Sequence, residues 1–478
     1  MKLHSRGVFS RVLVVAVLAG VYFLGLSGCG GGGGDHEDLA AIQTAVDTSY
    51  ATQGQATLAL DAQEGGVGPA LMQTDGKVLI AGWRQTAPLP SSEFGGHAPR
   101  QVYVMRLNRD GSRDTSFGAG GEARVTVKGS DTVADVKLQP DGKILLAVNS
   151  TEPCLIAFLS FYSPCVTSSG DTATPVSAMV RLTSQGTLDS AFGVGGVVQA
   201  PASSGNHLAL AVQADGRALY LRSTGVARSR IFGWTLARYN TDGTIDSTFN
   251  QGNDVTSTCQ AIGVSVVIQP DGRMVVGGEQ DIWYAEPAAN PGLCLERINS
   301  DGSRDASFGA ANPWTALNAN VSLRSLALLP DAKLLAVGRR CDQTGCEVLA
   351  ARYDPDGRLD PSFGVAGIVR LAIDKTLSLT LADYLVTPGG DLVMLAAQTP
   401  GAIAGQAQTY QPVWIRLDAY GQAVNDFGVN GLFVGTAHTR RPKQLLQDPQ
   451  GRWLVTHEAT LPNGKLAIEV TRLRGDSQ

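Results

Sequence analysis

Residues 106–118 read RLNRDGSRDTSFG, and the phrase returns as RLTSQGTLDSAFG at 181–193, RYNTDGTIDSTFN at 238–250, RINSDGSRDASFG at 297–309, RYDPDGRLDPSFG at 352–364 and RLDAYGQAVNDFG at 416–428. Arg and Phe stand 11 residues apart in every copy, and a seventh copy opens at Arg472. A second phrase lies between the copies, as in VKLQPDGKILLAV at 136–148 and VVIQPDGRMVVGG at 266–278. Asp-Gly between apolar or alternating runs signals a hairpin, because Gly accepts positive φ. The turn glycine, or its stand-in, falls at Gly76, Gly142, Gly216, Gly272, Ala332, Gly390 and Gly451, a span of 375 residues at about 62 per unit.

Each unit therefore reads as four strands: a before the first turn, b after it, c ending in the recurrent Arg, and d after the Phe-Gly phrase. Four antiparallel strands repeated seven times, with almost no amphipathic helical pattern, predict an all-β, seven-bladed β-propeller of four-stranded blades. The competing β-solenoid has shorter rungs and lacks paired hairpin turns. The phrases QPDGKILLA and RLxxDGSxDxSFGxGG resemble the delta-60 repeat family of bacterial proteins, over roughly residues 47–475. That resemblance implies a seven-bladed propeller and no agreed catalytic residues. Three positions depart from the pattern: Ala332 for the turn Gly, Asn250 for the Gly after Phe and Val424 for the recurrent Asp. Those units are expected to be locally looser.

Residues 47–54, DTSYATQG, copy the end of the phrase, with Asp47 in the place of Asp114 and Tyr50 in that of Phe117. The N-terminus thus supplies a lone strand d at 55–60, while the chain from 440 to 474 supplies a, b and c. Joining them in one blade closes the ring, placing Arg472 beside Asp47 and covering an otherwise open sheet edge.

The recurrent pairs Arg106 and Asp114, Arg181 and Asp189, Arg238 and Asp246, Arg297 and Asp305, and Arg352 and Asp360 face each other across a turn. They are expected to hold hairpin geometry rather than bind a ligand. The recurrent Phe is expected between blades. Asn108, Asp110 and Asp114, like Asp354, Asp356 and Asp360, have spacings that resemble calcium loops, which opens a calcium-stabilised adhesion propeller as one alternative. The twelfth position, which a calcium loop fills with a bidentate acid, is however Gly120. Neither a metal nor a cofactor is expected.

At the N-terminus Lys2, Arg6 and Arg11 precede an apolar run from Val12 to Leu26, the pattern of a secretory signal. Its end, Leu26-Ser27-Gly28-Cys29, resembles the lipobox of bacterial lipoproteins. The implied organisation is a signal peptide at 1–28, a lipidated Cys29 with a flexible tether to residue 46, and the propeller at 47–475. Gly30 after the cysteine resembles the default for the outer membrane, so an exported protein anchored there and facing periplasm or cell surface is expected. The remaining six cysteines are an even number in an exported chain, favouring disulfides. Proximity suggests Cys154 with Cys165, Cys259 with Cys294 and Cys341 with Cys346. With 38 basic and 43 acidic residues scattered along the chain, nucleic acid is an improbable partner and a monomer is expected.

Strand alternation puts a-to-b and c-to-d turns on one face and the b-to-c and d-to-a connections on the other. The first face is uniform; the second carries long loops with Trp83, Phe158, Phe161, Tyr162, Trp283, Tyr284 and Trp314, a candidate surface for protein or glycan. An enzyme is the competing class, a hydrolase or lyase working at the central channel, near which Asp135, His207, Asp383 and Lys443 are expected. No hydrolase or metal motif accompanies them. A non-catalytic binding or scaffold propeller is the expectation.

Overall fold

A computed structural model describes residues 41, 43–62, 64–88, 96–156, 165–167, 169, 171–201, 208–226, 231–259, 261–279, 293–309, 321–342, 345–373, 377–400 and 408–476. The fold is all-β: antiparallel up-and-down sheets follow the sequence repeat, unit by unit. The first is Gly65–Met72, Val78–Gln85, Arg100–Leu107 and Glu122–Val125, and the second Ser130–Leu138, Ile144–Thr151, Val176–Leu182 and Val197–Pro201. A single parallel bridge from Arg100 to Ser130 joins these two. The third comprises Leu208–Val212, Ala218–Val226, Ile231–Tyr239 and Val255–Thr256; the fourth has Ile262–Ile268, Met274–Glu279 and Leu293–Ile298. The fifth is Val321–Leu328, Leu334–Asp342, Gly345–Tyr353 and Ile368–Ala372, the sixth Ser378–Val386, Leu392–Thr399, Gln411–Leu417 and Leu432–Val434.

The last sheet combines the two ends of the chain. Arg441–Gln447, Trp453–Thr460 and Leu466–Leu473 are extended by Gln55–Ala59, which pairs antiparallel with Leu466–Leu473 from Gln55 opposite Thr471 to Ala59 opposite Ala467. Asp47 N donates to the carbonyl of Arg472 at 2.9 Å and Leu60 N to that of Leu466 at 2.9 Å, extending the ladder at both ends.

Apolar side chains alternate out of each strand and meet those of the next sheet, so the core is a series of layers between sheets rather than one centre. Strands b are the most buried: Ile144, Leu145, Leu146, Ala147 and Val148 are all fully covered, as a strand sandwiched on both faces requires. Phe117, Phe192, Phe249, Phe363 and Phe427 are buried between sheets, and Tyr50 takes the same role. Phe117 lies under Gly186 in the next unit's c-to-d turn, where a Cβ would come within 2.7 Å of the ring. Gly186 has φ of 81°, so both its backbone and the close ring favour glycine.

Candidate functional site

The recurrent arginine makes more contacts than a hairpin pair. Arg106 Nε donates to Asp114 Oδ2 at 2.7 Å, its guanidinium lies 4.6 Å above the Phe117 ring, and NH1 reaches the carbonyl of Ser184 in the next unit at 2.7 Å. Arg238 repeats this with Asp246 at 2.7 Å, Phe249 at 4.6 Å and the carbonyl of Ser300 at 2.6 Å. Arg181 takes Asp189 and the carbonyl of Thr241, Arg297 takes Asp305 and that of Pro355, and Arg352 takes Asp360 and that of Ala419. Arg472 bonds Asp47 at 2.9 Å, lies over the Tyr50 ring at 4.6 Å and reaches the carbonyl of Arg109 at 2.9 Å, so the last sheet is latched to the first.

Each of these aspartates also takes a second cation, from the residue just after the a-to-b turn glycine or, at Lys333, after its stand-in Ala332. Lys77 meets Asp114 at 2.8 Å, Lys143 meets Asp189 at 3.3 Å, Arg217 meets Asp246 at 2.8 Å, Arg273 meets Asp305 at 3.0 Å, Lys333 meets Asp360 at 3.1 Å and Arg452 meets Asp47 at 3.4 Å. Burial pushes the Asp114 carboxyl up, but hydrogen bonds from Lys77, Ser116 and Arg106 outweigh it and hold the group well below the usual carboxylate range. Asp305 is pulled down to about 2, chiefly by the Ser307 hydroxyl. In the sixth unit Val424 replaces the aspartate, and Asp391 stands where the other units carry the second cation. Arg416 donates to Asp391 through Nε at 2.9 Å and NH2 at 2.7 Å. The ion pair is kept with the carboxylate moved to the other strand, so the looseness expected at Val424 is compensated.

The turn acids do not converge on a calcium position. Asp110 Oδ1 accepts from the N–H and hydroxyl of Ser112, and Asp354 Oδ1 accepts from the N–H groups of Asp356 and Arg358. With Asp114 and Asp360 spent on cations, their oxygens serve the turns. Among the described residues, one group of potential metal ligands comes together: Cys259, Cys294 and Glu296. The two sulfurs are joined in a disulfide, and Glu296 accepts from the N–H groups of Thr258 and Cys259 and pairs with Arg304, so the set fits structural closure better than a metal. Cys341 and Cys346 form a second disulfide between directly opposed residues of a hairpin. Cys154 is also disulfide-bonded, while the side chain of Cys165 lies outside the described residues.

Of the aromatic residues expected on the long-loop face, Phe158, Phe161, Tyr162, Trp283, Tyr284 and Trp314 lie outside the described residues, as do Cys29 and His207. Trp83 does not begin a loop. It pairs with Val102 inside Val78–Gln85, half-buried, with the Arg100 guanidinium 4.3 Å from its ring, because ladder pairing continues two residues beyond it.

Asp135, Asp383 and Lys443 do come together. They line one cavity of about 520 Å³ to which the first strand of every unit contributes. Six of these strands carry a β-bulge there, which turns an extra residue inward. Counting eight back from each turn position gives Gly68, Ala134, Leu208, Val264, Arg324, Ala382 and Lys443. Five are small or apolar and two are cations; aligning the turns in sequence exposes Arg324 beside Lys443, although strand alternation alone did not. Asp135 accepts from Leu210 N at 2.9 Å and from Lys137 Nζ at 2.8 Å, and Asp383 accepts from Leu445 N at 2.9 Å. Each carboxylate clips its own strand to the first strand of the following unit. Burial pushes the Asp383 carboxyl up, against the nearby Arg324 charge.

Residues 93–117, 232–249 and 269–308 match a family described as a domain of unknown function (DUF5122) β-propeller. These stretches place the chain with β-propellers as a class. No curated protein matches the sequence significantly. Among solved structures, the chain is similar to a protein of unknown function from Dyadobacter fermentans, with 12% identity, 91% of this chain and 98% of that chain covered, and a TM-score of 0.40. It is also similar to the polysaccharide lyase Uly1, with 10% identity, 91% and 94% coverage and a TM-score of 0.42. Drosophila Semaphorin 2a matches at 7% identity, 90% and 76% coverage and a TM-score of 0.43. Likenesses at this level carry no argument about activity.

Proposed function

We propose that this chain is an exported lipoprotein, cut before Cys29 and tethered through residues 29–46 to the outer membrane, whose residues 47–475 form a closed, seven-bladed propeller of the delta-60 type. Closure is supported by Gly65–Met72 lying against both Ser130–Leu138 and Arg441–Gln447, and by the shared last sheet. The propeller works as a non-catalytic binding or scaffold module, with its partner, a protein or glycan, on the face of the b-to-c loops.

The observation that carries the binding reading is the contrast between faces. Turns on one side repeat the same hydrogen bonds, such as Gly76 N to the Gln73 carbonyl and Gly142 N to the Gln139 carbonyl, both at 2.9 Å. The disulfides Cys259–Cys294 and Cys341–Cys346 stiffen the opposite edge. Against a hydrolase stand the channel carboxylates, which are committed to backbone N–H groups of neighbouring strands.

Two measurements test the proposal. Cys29→Ser should abolish labelling by a fatty-acid analogue and release the protein from membranes; persistent labelling would refute the anchor. Crosslinking in intact envelopes should capture a defined partner that is lost when the 152–175 loop is replaced by a short Gly-Ser turn. Recovery of abundant envelope proteins alone, in both forms, would refute the binding face.

A further inference from the structure

Among the described residues, the axial cavity holds one cation without an ion pair of its own, with the Asp383 carboxylate nearby but not bonded to it. Lys137 is paired with Asp135 at 2.8 Å and Lys443 with Glu458 at 2.8 Å. Arg324 spends only Nε, on the carbonyl of Ala382 at 2.9 Å, and among the described residues its guanidinium has no ion pair. It is exposed, on a bulge that turns it into the cavity. Holding a guanidinium at an axial position where five other units carry Gly, Ala, Leu or Val is not a folding requirement, since those units fold without it. Its flat fork suits the two oxygens of a carboxylate.

The surroundings narrow the ligand further. Ser265, Ser325 and Gln444 line the same cavity, with the two hydroxyls 3.3 Å apart, and offer donors and acceptors to hydroxyl groups. Leu208, Val264 and Val266 supply apolar wall, and among the described residues no aromatic ring lines the cavity. Arg324 is the one cation there without an ion pair, and Asp383 nearby already draws on part of its charge, so a dianion would remain undercompensated. The volume of about 520 Å³ exceeds that of a single sugar ring.

We propose that this cavity binds a small hydroxylated monocarboxylate, with the carboxylate on Arg324 and the hydroxyl groups toward Ser265, Ser325 and Gln444. The site goes beyond the loop-face reading and stands whether or not a macromolecule docks there. The test uses galacturonate and galactose, which share a ring and differ in the carboxylate, with calorimetry on the mature full chain. Galacturonate should bind one per chain and galactose should not. R324Q should weaken galacturonate by at least about tenfold, the scale of one charge-assisted pair. K443Q should weaken it less, because Glu458 already compensates that charge. No binding by the native protein, equal binding of galactose, or unchanged affinity in R324Q would each overturn the assignment. The native comparison of the two sugars remains decisive if R324Q fails to fold.

Discussion

At the scale of the residue, the recurrent arginine acts as a three-way joint. Its guanidinium binds an aspartate of its own unit, covers the aromatic ring and donates to a carbonyl of the next unit. Replacing Arg238 with Ala would leave the buried Asp246 with Arg217 as its one remaining cation, beside Thr248, and orphan the carbonyl of Ser300. The expected cost is about 3–5 kcal/mol, as for breaking a buried ion pair, and Arg238→Lys should recover only part, because an ammonium cannot serve all partners at once. Denaturant unfolding measures both; a loss below about 1 kcal/mol for Arg238→Ala would mean that the latch is dispensable. His457 makes a second residue-scale prediction. It is buried, with His438 5.8 Å away between ring centres, and burial, then His438 and Arg440, bring its pKa down to about 3. An unfolded histidine binds its proton below about 6.5. The unfolded state therefore holds more protons between that value and about 3, and stability should fall as pH falls through this window. The paired aspartates, with depressed values, keep their contribution until lower pH. Melts from pH 7 to 4 should show a decline that His457→Gln largely removes.

At the scale of the element, one tight turn shows where the repeat is imperfect. Ala332 occupies the a-to-b turn position with φ of 64°, where six units have glycine. A Cβ in that conformation costs about 1–2 kcal/mol. Ala332→Gly should relieve most of it, less the entropy glycine loses on folding, for a net gain of about 0.5–1 kcal/mol in a thermal melt. The sixth unit shows the opposite case. Val424 lacks the carboxylate, yet Asp391 restores the ion pair from the neighbouring strand, so a departure in one phrase is answered in the other. Substituting Asp391 alone would strip Arg416 of that partner and leave it Asp476, at 2.8 Å.

At the scale of the molecule, the chain ends are knitted into one sheet. Residues 47–60 contribute a strand, the Tyr50 ring and the Asp47 partner of Arg472. Deleting 47–60 while keeping residues 1–46 should lower the melting temperature and promote aggregation through the exposed edge of Leu466–Leu473. Deleting 31–44 should change stability little. Equal melting of the two deletions would show that the terminal strand does not hold the last sheet together.

The sequence by itself determined the all-β class, the four-strand period and the pairing of the two chain ends, because turn glycines and strand alternation are local constraints that repeat. It also carried the Arg–Asp spacing, since both residues belong to one hairpin. Only the tertiary structure decided what joins one unit to the next. The donation of Arg106 to Ser184, the second cation on each aspartate, and the move of the sixth unit's carboxylate to Asp391 link residues from different phrases or different units. The cavity residues were legible singly, as Asp135, Asp383 and Lys443 were, but not as a site. Their meeting, and the exposure of Arg324 among them, depends on strands from separate units, six of them bulged, lining one cavity, and no local pattern encodes a direction shared between strands.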